Sequence, residues 1–213
     1  MSVIIINPNS STIMTDAMVE VARAAAPEIN FEGWTSHNGP PSIQGEADGA
    51  LAAPHLLELV RKAEREGAEG VIIGCFDDTA LAEARKLASC PIIGIGQAAY
   101  YYAALQGWRF SVVTTLSVSV PILERNISAL GLDQFLGKVR ASEVPVLALH
   151  EDRNAAAALV AEESRRAEAQ DGVDAIILGC AGMVSVVDAV RNSVGLHVVD
   201  PAVVAPKCVG WLR

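Results

Sequence analysis

Short apolar, β-branched runs alternate along this chain with stretches whose apolar positions return every three or four residues. The first run, residues 3–6, reads as a strand. Residues 10–26 have helical spacing, with Ser10 or Ser11 as N-cap and Pro27 as a stop. A short strand is expected over 29–35 and a Gly-, Pro- and Ser-rich loop over 37–49. A helix follows over 51–67, its outer face charged by Arg61, Lys62, Glu64, Arg65 and Glu66. Then come a strand over 71–73, a helix over 78–88, a strand over 91–95 and a helix over 97–105. The pattern restarts with a strand over 110–114 and a helix over 118–130. Residues 139–149 are mixed, one strand and a connector. A helix over 154–170, a strand over 175–178, a helix over 183–192 and a strand over 194–199 complete it. Such alternation predicts an α/β fold of parallel sheets covered by helices on both faces.

The restart is a repeat. Residues 68–76 read Ala-Glu-Gly-Val-Ile-Ile-Gly-Cys-Phe, and residues 173–181 read Val-Asp-Ala-Ile-Ile-Leu-Gly-Cys-Ala. Each is an apolar run, then Gly, then Cys. Residues 2–10 and 110–117 also share a role: a strand, then a turn rich in hydroxyls or amides, then a helix. Two pseudo-symmetric lobes are therefore expected. Residues 1–96 and about 196–213 form the first, and 97–195 the second. Ligands of open parallel sheets bind beyond the carboxyl ends of the strands. The loops at 7–11, 74–79, 114–117 and 179–183 would then meet in one cleft between the lobes.

Candidate chemistry follows from that placement. A thiol where a strand ends and a helix begins is favoured as thiolate by backbone N–H groups and the helix dipole. Free cysteine is often only a small apolar filler, but Cys75 and Cys180 recur at matched positions, which points to one site with two opposed acid/base groups. Cys90 and Cys208 lack that context and read as filler. Of Asp77 and Asp78, one is expected to cap a helix and the other to orient a substrate N–H. A carboxylate beside Cys75 would also raise its thiol pKa. Asn7, Asn9, Thr114 and Thr115 are either ordinary turn formers or ligand contacts. The segment Gly94-Ile95-Gly96-Gln97-Ala98-Ala99 matches G-x-G-x-x-A, a weak dinucleotide signal. No acidic residue stands about 20 positions on, so close helix–strand packing is the better reading, with Gln97 a candidate for the cleft. His37, His55, His150 and His197 have no metal-ligand spacing, and neither a G-x-S-x-G elbow nor a P-loop occurs.

Composition narrows the partners. With 51% hydrophobic and 19% charged residues among 213, the chain can bury a sizeable core. A net charge of −9 argues against nucleic acid and anionic membranes as partners. No apolar run is long enough for a membrane span. The start resembles a strand rather than a secretion signal, so reduced thiols and a cytoplasmic location are expected.

Five segments in order carry a family resemblance: Asn7-Pro-Asn-Ser-Ser11, Gly39-Pro-Pro-Ser-Ile-Gln-Gly45, Gly74-Cys-Phe-Asp-Asp-Thr-Ala-Leu81, Phe110-Ser-Val-Val-Thr-Thr115 and Gly179-Cys-Ala-Gly-Met183. Together they resemble the aspartate/glutamate/hydantoin racemase superfamily, and within it the hydantoin and allantoin racemases, over nearly all of residues 2–200. The amino-acid racemases carry Cys-Asn-Thr at the first cysteine, whereas Phe76-Asp77-Asp78 follows Cys75 here, which points away from aspartate and glutamate. The resemblance implies a cleft between two lobes and racemisation of 5-monosubstituted hydantoins or allantoin, with no cofactor and no metal. It implies Cys75 and Cys180 as the acid/base pair. Asn9, Ser42, Ile43, Gly45, Phe76, Asp77, Thr115 and Gly182 would lie in or near the pocket. It also implies a small-molecule substrate and a homo-oligomer. Alternatives are a maleate-isomerase-like enzyme or amino-acid racemase of the same superfamily, a non-enzymatic two-lobe binding protein, and an NAD(P) enzyme. The C-terminus departs from the pattern, because Pro201 and Pro206 would interrupt the helix expected after Asp200.

Overall fold

The structure, a computed structural model, describes residues 2–212. The first half runs β1 (Val3–Asn7), α1 (Thr12–Ala25), β2 (Phe31–Thr35), α2 (Glu46–Arg65), β3 (Gly70–Ile73), α3 (Leu81–Ala84) and β4 (Ile92–Gly94). Helix α4 (Ile95–Leu105) leads into the second half: β5 (Phe110–Thr114), α5 (Val120–Ala129), β6 (Leu136–Ala141), α6 (Ala148–Glu151) and α7 (Arg153–Gln170). Then follow β7 (Ala175–Leu178), a 3-10 turn (Ala181–Val186), α8 (Val187–Arg191), β8 (His197–Val199) and α9 (Pro201–Leu212). The strands form two four-stranded sheets, ordered β2-β1-β3-β4 and β6-β5-β7-β8, and every pairing is parallel. The two orders are the same, so β1 corresponds to β5 and β3 to β7. All four of these inner strands are buried along their whole length, as continuous apolar runs require. Edge strand β2 has two exposed residues.

Several boundaries differ from expectation, each for a local reason. Helix α2 starts at Glu46 rather than 51. Gly45, at φ 92°, turns the chain into it, and the Gln44 N–H donates to Asp48 Oδ2 at 3.0 Å. Acidic Glu46 and Asp48 suit the first turn, and Pro54 is tolerated on the exposed side. The helix expected over 78–88 shrinks to α3, because Asp78 and Ala80 hold φ near 50°. The helix expected over 183–192 is the 3-10 turn followed by α8. Strand β8 pairs with β7, so the chain leaves the second sheet at Asp200 and not at 196. Helix α9 forms in spite of its prolines. Pro201 occupies the first helical position, where no N–H partner is lost, and Pro206 is buried within it. The helix packs on α1 and α4.

One inner core serves both sheets. Val3, Ile5 and Ile72 of the first sheet join Phe110, Val112 and Ile177 of the second around α4. The fully buried Tyr100 on α4 lies edge-on to Phe76, with centroids 5.4 Å apart, and stacks on Phe110 at 5.9 Å. Two outer cores lie beneath α2 and α7. Helix α7 is capped by Asp152, whose Oδ1 accepts the Ala155 N–H at 3.1 Å. Asp152→Ala is expected to cost about 1 kcal/mol, read as a lower urea midpoint with an unchanged slope.

Candidate functional site

Each repeated cysteine stands one step past a glycine in a crowded position. A Cβ at Gly74 would lie 2.8 Å from the Met18 side chain, and one at Gly179 would lie 2.9 Å from Thr114 Cα. The Gly74 N–H donates to Ile6 O and the Gly179 N–H to Val113 O, both at 2.8 Å. Each glycine thus extends the parallel ladder by one bond and delivers the next residue to the carboxyl end of its sheet. The Thr114 hydroxyl donates to Gly179 O at 2.9 Å and fixes the second junction.

The two junctions face one another across a narrow pocket with a cavity volume of about 30 Å³. Its walls include Cys75, Phe76 and Asp77 from one sheet and Cys180, Ala181 and Gly182 from the other. Asn9, Met14 and Ile43 close the first side; Thr114, Thr115, Ser119 and Val146 close the second. Of the residues predicted from sequence, both cysteines, Asn9, Ile43, Phe76, Asp77, Thr115 and Gly182 therefore line it. Ser42 and Gly45 do not. Ser42 is buried next to Ile43, and Gly45 packs on Val118 of the other half. Sequence reasoning missed Met14, Ser119 and Val146. Met14 lies in the first turn after the flagged loop, a position that helical spacing could have exposed. Val146 lies in an irregular connector and carried no signal. Gln97 does not line the pocket; its Oε1 accepts from Arg85 at 2.6 Å. The segment 44–46 spans the lobes: Gln44 Oε1 accepts the Val146 N–H at 2.9 Å, and Glu46 pairs with Arg125 at 3.0 Å.

The polar network gives each group a direction. Asn7 is scaffold, its Nδ2 donating to Asn9 Oδ1, Ser11 O and Thr15 Oγ1. Asn9 Oδ1 also accepts the Ser11 N–H at 2.9 Å. Among the described residues that leaves Asn9 Nδ2 with only the Met14 thioether at 3.5 Å, so it is the end placed to donate to a ligand carbonyl. The two adjacent carboxylates point to different places, and the cap falls on a different helix from the one that follows them. Asp78 accepts the Gly96 N–H at 3.1 Å and the Gln97 N–H at 2.7 Å, capping α4. A Cβ at Gly94 would collide with the Asp78 carboxylate and one at Gly96 with Phe76 O. The G-x-G-x-x-A segment is thus shaped to admit an internal carboxylate, which occupies the helix N-terminus where a dinucleotide phosphate would sit. Asp77 instead lines the pocket. Its backbone O accepts from Asn126 Nδ2 at 2.8 Å, while its Oδ2 is buried with no hydrogen-bond partner among the described residues.

Electrostatics run against the expected thiolate. Each thiol keeps some surface open to the pocket, but surrounding protein excludes bulk water. Burial, and then the Asp77 carboxylate, push the Cys75 thiol well above its ordinary range; the Thr79 hydroxyl and the Asp77 N–H act against them. Burial likewise lifts Cys180 to about 12, opposed by the N–H groups of Gly182 and Met183. Those N–H groups act in the expected direction, but desolvation is larger. The dipole is also weaker than the sequence implied, because a left-handed turn rather than a helix follows Cys75. Burial alone raises the Asp77 carboxyl to about 7. Among the described residues no group of three or more His, Cys, Asp or Glu is placed to hold a metal ion, and no helix is long and apolar enough to cross a membrane.

The α/β fold of two like parallel sheets agrees with comparison to known proteins. The family model described as Asp/Glu/Hydantoin racemase matches residues 3–208, and the chain belongs to that family of isomerases. It is 42% identical to the hydantoin racemase of Rhizobium meliloti over 210 residues, which is 97% of this chain and 86% of the relative. The allantoin racemase structure from Klebsiella pneumoniae superposes with a TM-score of 0.91 at 36% identity, covering all of this chain and 87% of that one. That from Pseudomonas fluorescens gives 0.94 at 31% identity, covering all of this chain and 90% of its own.

Proposed function

We propose that this protein racemises 5-monosubstituted hydantoins by moving a proton at C5 between Cys75 and Cys180. The observation that carries the reading is the pair of matched junctions, each presenting one sulfur to the same pocket from opposite sheets. A hydantoin C5–H is acidified by the adjacent ring carbonyl, into which the carbanion spreads as an enolate. One sulfur, as thiolate, removes the proton from one face, and the other, as thiol, returns one to the opposite face. The burial that raises both thiols also makes the thiolate a stronger base towards carbon. Asn9 Nδ2 would donate to a ring carbonyl and Asp77 would accept a ring N–H. Around Cys180, the Gly182 and Met183 N–H groups would stabilise the thiolate when it forms.

Allantoin has the same ring with a ureido group at C5. It is the second reading, supported by the allantoin racemases among the structural relatives. The apolar wall of Met14, Ile43, Phe76 and Val146 favours an alkyl or aryl substituent, because a ureido group buried there would lose hydrogen bonds to water. Polarimetry with an enantiopure 5-alkylhydantoin and with enantiopure allantoin tests this. Decay of rotation faster with the alkylhydantoin is expected. Faster decay with allantoin would reverse the substrate order, and no decay with either would remove the racemase reading for these compounds.

A further inference from the structure

A two-base racemisation leaves its thiols exchanged: the sulfur that began as thiolate ends as thiol, and its opposite ends as thiolate. Some group must restore them before the next molecule of the same hand is turned over. We propose that Asp77 is the proton carrier that resets Cys75 and Cys180, an inference resting on the two-thiol reading above. The geometry sets Asp77 apart from the other buried carboxylates. Asp78 accepts two N–H groups, Asp171 is bound by Arg140 and Ser111, and Asp200 accepts the Ala202 N–H. Asp77 Oδ2 alone among them is sealed from solvent without a partner, in the wall of the pocket that holds both sulfurs. The Asp77 backbone N–H lies on the Cys75 sulfur, and its charge acts on both thiols. Asn126 of α5 holds its backbone in place from the other half of the chain.

Among the described residues, Asp77 is the one carboxylic acid that lines the pocket. Cys75, Cys180 and Tyr100 all feel its charge, and so does the neighbouring Asp78. Glu46 and Glu83 line the outer groove on its far side. The cations nearby are engaged elsewhere: Arg125 with Glu46, and Arg85 with Ile92 O and Gln97.

The cycle balances without a solvent proton. At rest Asp77 is ionised and both sulfurs are protonated. The Cys75 S–H bond breaks as an Asp77 O–H bond forms, giving the Cys75 thiolate. That thiolate takes the C5 proton, and the C–H electron pair enters the enolate. Cys180 then gives its proton to the opposite face of C5. The resulting Cys180 thiolate takes the proton from Asp77, and the resting state is restored. For the mirror-image substrate the two sulfurs exchange roles around the same carboxylate, so one resting state serves both hands.

The test is the pH profile of racemisation in both directions for the whole protein, Asp77→Asn and Asp77→Glu, alongside ultraviolet titration of the thiolates. The wild type should lose about tenfold in kcat/KM per pH unit below about 7 in both directions, as a single protonation requires. Asp77→Asn is isosteric. It should lose about 100-fold or more in kcat, lack the limb near 7, and titrate its thiols at lower pH because the neighbouring charge is gone. Asp77→Glu should keep the limb. A limb near 7 that persists in Asp77→Asn overturns the proposal, as does a loss confined to KM, which would mark a group that only orients the ring. A wild type that turns over neither hydantoins nor allantoin fails earlier: it removes the racemase reading and the carrier with it, whatever the thiol titration gives.

Discussion

Cys75→Ala and Cys180→Ala are each expected to lose at least about 1,000-fold of racemase activity in both directions, because each would remove one of the two proposed acid/base groups. On the two-thiol proposal the losses should not add in the double variant, since residues that act as a unit are non-additive. A more telling signature is what survives. With one sulfur left, proton removal from one face remains possible and return to the other does not. Each single variant should therefore exchange the C5 proton of one enantiomer with deuterated solvent while leaving its rotation unchanged, and the two variants should choose opposite enantiomers. Polarimetry and proton NMR on the same samples measure both quantities. Near-normal racemisation by Cys180→Ser would sink the two-base mechanism. A covalent adduct trapped on Cys75 would shift the mechanism to the nucleophilic, maleate-isomerase-like alternative. Cys90→Ala and Cys208→Ala serve as controls, since neither residue lines the pocket.

Gly94→Ala should be strongly damaging to the fold. Its methyl would enter the space held by the Asp78 carboxylate, which ties the Cys75–Asp78 turn to the start of α4. Overpacking costs about 1–3 kcal/mol, and displacing a carboxylate from two buried N–H groups adds about as much again. A loss of about 3 kcal/mol would lower the melting temperature by about 6–12 °C in a chain of this length. Activity should fall more steeply than stability, because the displaced loop carries Cys75. Asp78→Ala alone should also destabilise, by stripping the α4 cap. In the double variant the collision is gone, so the combined cost should fall well short of the sum, and that coupling is the measurement that ties the glycine to the carboxylate. Additive costs would mean that Gly94 is needed for some other reason.

The sheet architecture was legible because its inner strands are continuous apolar runs, and the shared pocket of the two cysteines was legible because the Gly-Cys junction occurs twice. What the sequence hid were places where a tertiary contact overrides local preference. Asp78 has the spacing of a helix N-cap for the residues that follow it, yet it caps a helix almost twenty positions later and bends its own backbone to do so. Helix α2 begins early because Gly45 turns the chain there, and the glycine's packing on Val118 involves a residue from the other half. Val146 reaches the pocket from an irregular segment held by Gln44, a contact with no periodic trace. The direction of the thiol shifts was also hidden. N–H groups next to a cysteine can be read from order along the chain, but the desolvation that outweighs them depends on what closes over the sulfur.

The ring of Tyr100 has a consequence for how the sulfurs are spaced. It is wedged between Phe76, the residue directly after Cys75, and Phe110, which starts the strand beside the one leading to Cys180. Beside their other contacts, the two halves thus meet through a row of three aromatic rings. A smaller side chain at Tyr100 should let the opposite walls settle towards each other, and a larger one should part them. The gap between the cysteine-bearing walls would then depend on a buried side chain that does not line the pocket.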